Sequence, residues 1–222
     1  MTHGARRSKA RRLQVHVTEA LARAFDLTIL AEKPTLPGVR DGVVWVPEGE
    51  PADLKVRVMG QAGADVALLT PRAMKAVALD GHPLYFECKN AEATPAVRLD
   101  DKFWTKGMVP KFIERAYMQA KAGANIYRLV SGRETLKRIN EKYGLNLKLE
   151  DLQGNLPLVV LSRNRWSVIA VVETRVLSGM LDAIQPMVLW RTPPLAALPF
   201  EKLTALLDGA PAHAVAAEGQ PT

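Results

Sequence analysis

Residues 64–69 read Ala-Asp-Val-Ala-Leu-Leu, and Asp65 is the one polar side chain in the run. A short apolar run of this kind fits a buried strand. A lone carboxylate inside it is costly unless it is paired or binds a cation. A second run follows, Leu84-Tyr85-Phe86-Glu87-Cys88-Lys89. Side chains alternate faces along a strand, so Tyr85, Glu87 and Lys89 share one side while Leu84, Phe86 and Cys88 share the other. The 22 positions from Asp65 to Glu87 leave room for a turn and a helix. The two carboxylates are therefore expected to meet across neighbouring strands.

The surrounding chain supports a mixed α/β layout. Leu13, Val17, Ala20, Leu21 and Ala24 recur at helical spacing, which predicts a helix over 12–25. Residues 31–52 are rich in proline and glycine and predict a loop with a short strand or hairpin at Val43–Val46. Leu54–Met59 alternates like a strand, and Gly60-Gln61-Ala62-Gly63 is a turn. Pro71–Leu79 predicts a short helix, with Pro71 suited to its first turn. Further helices are expected over 111–122, where Phe112, Ala116 and Ala120 share a face, over 133–143 and over 197–208. Leu156–Ser162 and Trp166–Thr174 read as strands joined by Arg163-Asn164-Arg165. The expectation is one domain over residues 1–208, with a small mixed central sheet flanked by helices. A helical insertion is expected at about 91–155, and a disordered tail over 209–222.

The 222 residues are 48% hydrophobic and 24% charged, ordinary for a globular chain that buries a core. Cys88 is the one cysteine, which excludes a disulfide within the chain and fits a reducing compartment such as the cytoplasm. No apolar run is long enough to span a bilayer, and the N-terminus lacks the apolar core of a secretion signal, so no membrane partner is expected. The four histidines show no zinc-ligand spacing. The formal net charge is +7, which favours a polyanionic partner. Five cations fall in the seven positions 6–12. Arg7, Lys9, Arg11 and Arg12 thus read either as a solvated basic end or as an arm contacting phosphates.

Two convergent carboxylates make a hard oxygen site for Mg²⁺ or Mn²⁺, and the Cys88 carbonyl can add a ligand. Such an ion polarises a phosphodiester and acidifies a bound water. Lys89, on the face of Glu87, would orient that water or stabilise the charge gained at phosphorus. Glu-x-Lys alone is common, however, and describes an exposed strand pair equally well.

Gly60-Gln61-Ala62-Gly63-Ala64-Asp65-Val66 followed by Glu87-Cys88-Lys89-Asn90 resembles the PD-(D/E)xK nuclease superfamily. Within it, the chain looks most like phage and prophage Holliday junction resolvase-like endonucleases. Lys9-Ala10-Arg11-Arg12-Leu13-Gln14 matches the basic opening of that group. Gln119-Ala120, Ala122-Gly123 and the two strands around Arg163-Asn164-Arg165 follow in the same order. The likeness covers roughly 7–27, 54–90 and 111–173; Ala64 stands where the superfamily name has proline. The resemblance implies a restriction-endonuclease-like core and a Mg²⁺-dependent DNA endonuclease acting on four-way junctions as a homodimer, in the host cytoplasm if phage-encoded. It implies metal ligation by Asp65, Glu87 and the Cys88 carbonyl, and catalysis by those two carboxylates with Lys89. Many superfamily members carry a glutamate in the first helix, where Gln14 stands here. Gln14 lies at the edge of the Leu13-Val17-Leu21 stripe and Glu19 on the opposite side, so Gln14 is the expected fourth site residue. Gln119 is expected beside the site, toward DNA. Other DNA substrates, or a DNA-binding protein without activity, remain alternatives within the same fold.

Overall fold

Long apolar strands need cover on both faces, and the chain supplies it with two helices of different character. The computed structural model describes residues 3–31, 36–57, 63–79, 81–90, 109–126, 155–162, 168–177, 186 and 188–209, with the first described side chain at residue 10. Among the described residues the fold is mixed α/β, with four helices and two mixed sheets. Helix α1 is His3–Phe25. Strands β1 (Ile29–Leu30), β2 (Gly38–Arg40), β3 (Val43–Val46), β4 (Leu54–Val56) and β5 (Val66–Leu68) form one sheet, in the order β2-β3-β1-β4-β5. The second sheet holds β6 (Ala78–Leu79), β7 (His82–Asn90), β8 (Leu156–Ser162), β9 (Ile169–Glu173), β10 (Val188–Arg191) and β11 (Pro194–Pro199). Its order is β10-β11-β9-β8-β7-β6. Helices α2 (Pro71–Ala76), α3 (Lys111–Ile126) and α4 (Phe200–Leu207) complete the set.

The second sheet divides the core in two. On one face Leu13, Val17 and Leu21 of α1 pack with Phe86, Cys88, Leu158, Val160 and Ala170, joined by Phe200 and Leu203 of α4. On the other, Ile113, Ala116, Tyr117 and Ala120 of α3 pack with Tyr85, Val159, Leu161 and Val171. Strand β7 runs parallel to β8, with Glu87 opposite Val159. The connection between them carries α3, and this helix packs into the core. Its approach is close: a Cβ at Gly123 would collide with the Tyr85 phenol, which explains a glycine at that helical position.

Several expectations change. Helix α1 begins at His3, nine positions before the apolar stripe predicts. The helix at Pro71 stops at Ala76, and Ala78–Leu79 instead pairs with His82–Pro83 as a hairpin across Gly81, whose φ is +73°. The small central sheet is two sheets, and β10 and β11 were not expected at all. Residues 186–199 contain four prolines, a pattern that reads as loop. Pro194 and Pro199 nevertheless sit at the two ends of β11, where a missing N–H does least harm to the ladder. Of the short strand or hairpin expected around Val43–Val46, the hairpin is present, as β2–β3. The expected helix at 133–143 and the tail at 209–222 lie outside the described residues, apart from Gly209. No helix among those described is long and apolar enough to cross a membrane.

Asp53 pins the first sheet to α2. Its carboxylate accepts from the Thr28 N–H at 3.1 Å, the Thr28 hydroxyl at 3.2 Å and the Thr70 hydroxyl at 2.6 Å. Thr70 in turn caps α2 by accepting from the Ala73 N–H. Burial pushes the Asp53 carboxyl up, but these hydrogen bonds and Arg72 more than offset it, and its pKa lies below the ordinary 3.8. A lowered folded-state pKa contributes stability that is present above the ordinary value and is lost as pH falls through the folded one. Asp53→Ala should therefore lower the unfolding free energy by about 1–3 kcal/mol at neutral pH, since it leaves buried donors unpaired. Urea titration at pH 7 and below pH 3.8 checks this, and the gap between variant and wild type should narrow at the acid end.

Candidate active site

Strand β6 covers only the start of β7, so the edge of β7 beyond it is open to another partner. Asp65 fills that edge. Its N–H donates to the Phe86 carbonyl at 2.8 Å, and its Oδ2 accepts from the Cys88 N–H at 2.6 Å. The side chain thus stands in for the next carbonyl of a pairing strand. Asp65 itself lies one residue before β5, and β5 pairs with β4 rather than with β7. The expectation of neighbouring strands is therefore met differently: the two sheets touch through Asp65. Gly63 supports the approach by adopting φ +115°, with the Arg57 side chain packed where a Cβ would stand.

The second oxygen of Asp65, Oδ1, accepts from the Gln14 amide at 2.8 Å. Gln14 is 3% exposed and arrives from α1, on the opposite face of the sheet from Glu87. Its own Oε1 is buried with no hydrogen-bond partner among the described residues. Thr18, one turn along α1, donates to the Gln14 carbonyl at 2.7 Å. Glu19 is half-exposed, as the helical spacing predicts.

Glu87 is buried, and its Oε1 lies 2.6 Å from the Lys89 ammonium. Lys89 also donates to Gln119 Oε1 on α3 at 3.1 Å. Burial raises the pKa of Asp65, countered in part by the Cys88 N–H, Lys89 and Gln14. Burial likewise raises that of Glu87; Lys89 opposes the rise and the neighbouring Asp65 charge adds to it. The two carboxylates therefore share one electrostatic site, in which Lys89 is the cation that opposes the rise among the described residues. The Cys88 thiol points into the α1 core, and burial holds it well above its ordinary pKa, so its sulfur is no ligand. Its backbone is another matter. The N–H and carbonyl of a strand residue point to the same side, which directs the Cys88 carbonyl to the edge occupied by Asp65.

Gln14, Asp65, Glu87, Cys88, Lys89 and Gln119 are thus brought together. Arg11 is close by, but its guanidinium donates to the Val56 and Arg57 carbonyls at 3.2 and 2.8 Å, closing the end of β4. Arg12 is exposed on α1. Arg7 and Lys9 belong to the same helix, with side chains outside those described. Trp45 is core, at 3% exposure, and not a surface ring. Among the described residues no three His, Cys, Asp or Glu side chains cluster as a metal cage. The oxygen donors here are two carboxylates, one amide and one carbonyl.

Two buried carboxylates escape the sequence argument, Asp53 just before β4 and Glu173 on β9. Glu173 ends the apolar run of β9, accepts from the Tyr117 hydroxyl and from Arg175 Nε, and lies 3.8 Å from the Lys121 ammonium. Burial raises the Glu173 pKa, but Tyr117, Arg175 and Lys121 outweigh it and the net shift is downward. The signal was the one that marked Asp65, a single acid in an apolar strand. Comparison with family models, with curated proteins and with solved structures finds no match to this chain.

Raised carboxylate pKa values have a stability consequence. Their contribution is present in full below the ordinary values of 3.8 and 4.5, and is lost as pH rises through the raised ones. Asp65→Asn removes one buried charge. Its amide can still accept from Cys88, and a flipped Gln14 amide can accept from the new Nδ2. With EDTA present, the variant should be more stable than wild type at pH 7 by about 0.5–2 kcal/mol, as is common when a functional group is neutralised. Thermal melts should show that advantage shrinking toward pH 4.

Proposed function

We propose that the chain is a divalent-cation-dependent endodeoxyribonuclease that hydrolyses phosphodiester bonds in branched DNA, a Holliday junction resolvase with a restriction-endonuclease-like core. The observation that carries this reading is the convergence of Asp65, Glu87 and Lys89 with the buried Gln14 amide at one strand edge. The donor set fits a hard cation. All the available ligands are oxygens, the two carboxylates share the Lys89 ammonium, and the buried Gln14 Oε1 has no partner among the described residues. Asp65 and Glu87 would hold Mg²⁺, or Mn²⁺, with the Cys88 carbonyl and Gln14 Oε1 as neutral donors. The bound cation supplies a polarised phosphodiester and a more acidic water.

The chain's own residues then divide the work. Gln14 and the Cys88 N–H fix the orientation of Asp65, leaving the carboxylate little freedom to rotate. Lys89 meets the attacking water or the oxygen that gains charge. Arg7, Lys9 and Arg12 supply basic contacts to the DNA backbone, in keeping with the net charge of +7. A four-way junction has two-fold symmetry, so paired cuts call for a homodimer. The junction substrate rests on the family resemblance. A nuclease for flapped, nicked or plain duplex DNA uses the same site, and a DNA-binding protein without activity is the remaining rival.

Nicking of an end-labelled four-way junction with Mg²⁺, beside a duplex of equal length, separates these readings. Cutting of the junction alone is expected. Equal cutting of both moves the substrate to duplex DNA, and binding without cutting at any Mg²⁺ or Mn²⁺ level removes the enzymatic reading. Asp65→Asn should lower the rate at least about 10³-fold while junction binding survives, the scale expected when a group central to the chemistry is lost. Cutting at the wild-type rate would show that the site lies elsewhere.

A further inference from the structure

We infer that Lys89 is the counter-ion of Glu87 in the cation-free chain, and that Gln119 takes Lys89 over when a divalent cation binds. Gln119 then sets how readily the site loads. The inference rests on Asp65 and Glu87 being the cation ligands.

Lys89 has two acceptors, Glu87 Oε1 at 2.6 Å and Gln119 Oε1 at 3.1 Å. Only the first belongs to a carboxylate that would hold the cation. The Glu87 side chain is 7% exposed and cannot turn to solvent to serve two cations, whereas the Lys89 side chain is 36% exposed and can swing. An ammonium and a divalent ion on one carboxylate also repel each other. Lys89 therefore has to leave Glu87 for the site to load. Gln119 gives it somewhere to go without adding charge, and keeps it beside the site.

The mounting of α3 makes this acceptor dependable. Tyr117 and Lys121 lie one helical turn apart and grip Glu173 on β9. Gln119 and Gly123, also one turn apart, face β7 at Lys89 and Tyr85. At about 100° per residue, Gln119 stands about 200° around the helix from Tyr117. The helix is thus held on both flanks, over β9 by one pair and over β7 by the other. It cannot roll without breaking the buried Tyr117–Glu173 hydrogen bond. Glu173 and Tyr117 act as positioning residues for Gln119.

Calorimetric titration of the full chain with Mn²⁺ tests the idea through a double-mutant cycle. Gln119 is exposed, so Gln119→Leu changes neither the charge nor the core. In the wild-type background it should weaken Mn²⁺ binding about three- to tenfold, the scale of one ordinary hydrogen bond, because the bond that Lys89 already makes to Gln119 has to hold it alone once Glu87 is given up. In the Lys89→Met background, where nothing competes for Glu87, the same substitution should have no effect. Equal Mn²⁺ affinity of wild type and Gln119→Leu would overturn the inference. So would the same loss in both backgrounds, which would mean that Gln119 acts without Lys89. A wild-type chain that takes up no Mn²⁺ overturns the nuclease reading and this inference together, which separates the two kinds of failure.

Discussion

The Asp65 carboxylate is the joint on which the rest depends. One oxygen accepts from the backbone of β7 and the other from a side chain of α1, while its own N–H holds a β7 carbonyl. Three elements distant in sequence meet on one residue. That contact links the five-stranded and six-stranded sheets, and it fixes the carboxylate at the edge of β7 beyond β6, where no other strand pairs among the described residues. Without it the Cys88 N–H and the Gln14 amide would both be buried without partners, at a cost of about 1–3 kcal/mol each.

The same joint makes the site electrostatically unbalanced. Two carboxylates are desolvated together, and one ammonium, itself partly exposed, faces them. Folding alone would favour fewer charges here. An arrangement that raises the pKa of both acids and leaves a buried amide oxygen idle is better suited to a bound cation than to a stable core. The opposite outcome stands on β9, where Glu173 is satisfied by Tyr117 and Arg175 and its pKa falls. Two acids of similar sequence context thus end in opposite states: Glu173 ties a helix down with its pKa lowered, and Asp65 joins two sheets and a helix with its pKa raised.

Period-two alternation correctly assigned the faces of β7: Glu87 and Lys89 to one side, Cys88 to the core. Helical spacing put Gln14 at the edge of the α1 stripe and Glu19 away from it, as found. Those inferences rest on local geometry, which a sequence carries well. Pairing does not show in this way. That Asp65 docks on β7 from outside its own strand, and that Ala78–Leu79 turns back on His82 instead of continuing a helix, depend on partners distant in sequence or on a single glycine turn. The β10–β11 hairpin was hidden by its prolines, which punctuate a strand's ends as readily as they break one. Arg11 read, with its neighbours, as a solvated basic end or a phosphate contact because its charge is visible, while the carbonyls it closes at the end of β4 are not.

The central claim is that Asp65 and Glu87 jointly hold one divalent cation. Crystals grown with Mn²⁺ and measured at the manganese absorption edge test it directly. The expected result is an anomalous peak bonded to an oxygen of Asp65 and an oxygen of Glu87, with Lys89 turned to Gln119. A crystal at saturating Mn²⁺ with no peak between the two carboxylates, and with Lys89 still on Glu87, would contradict it.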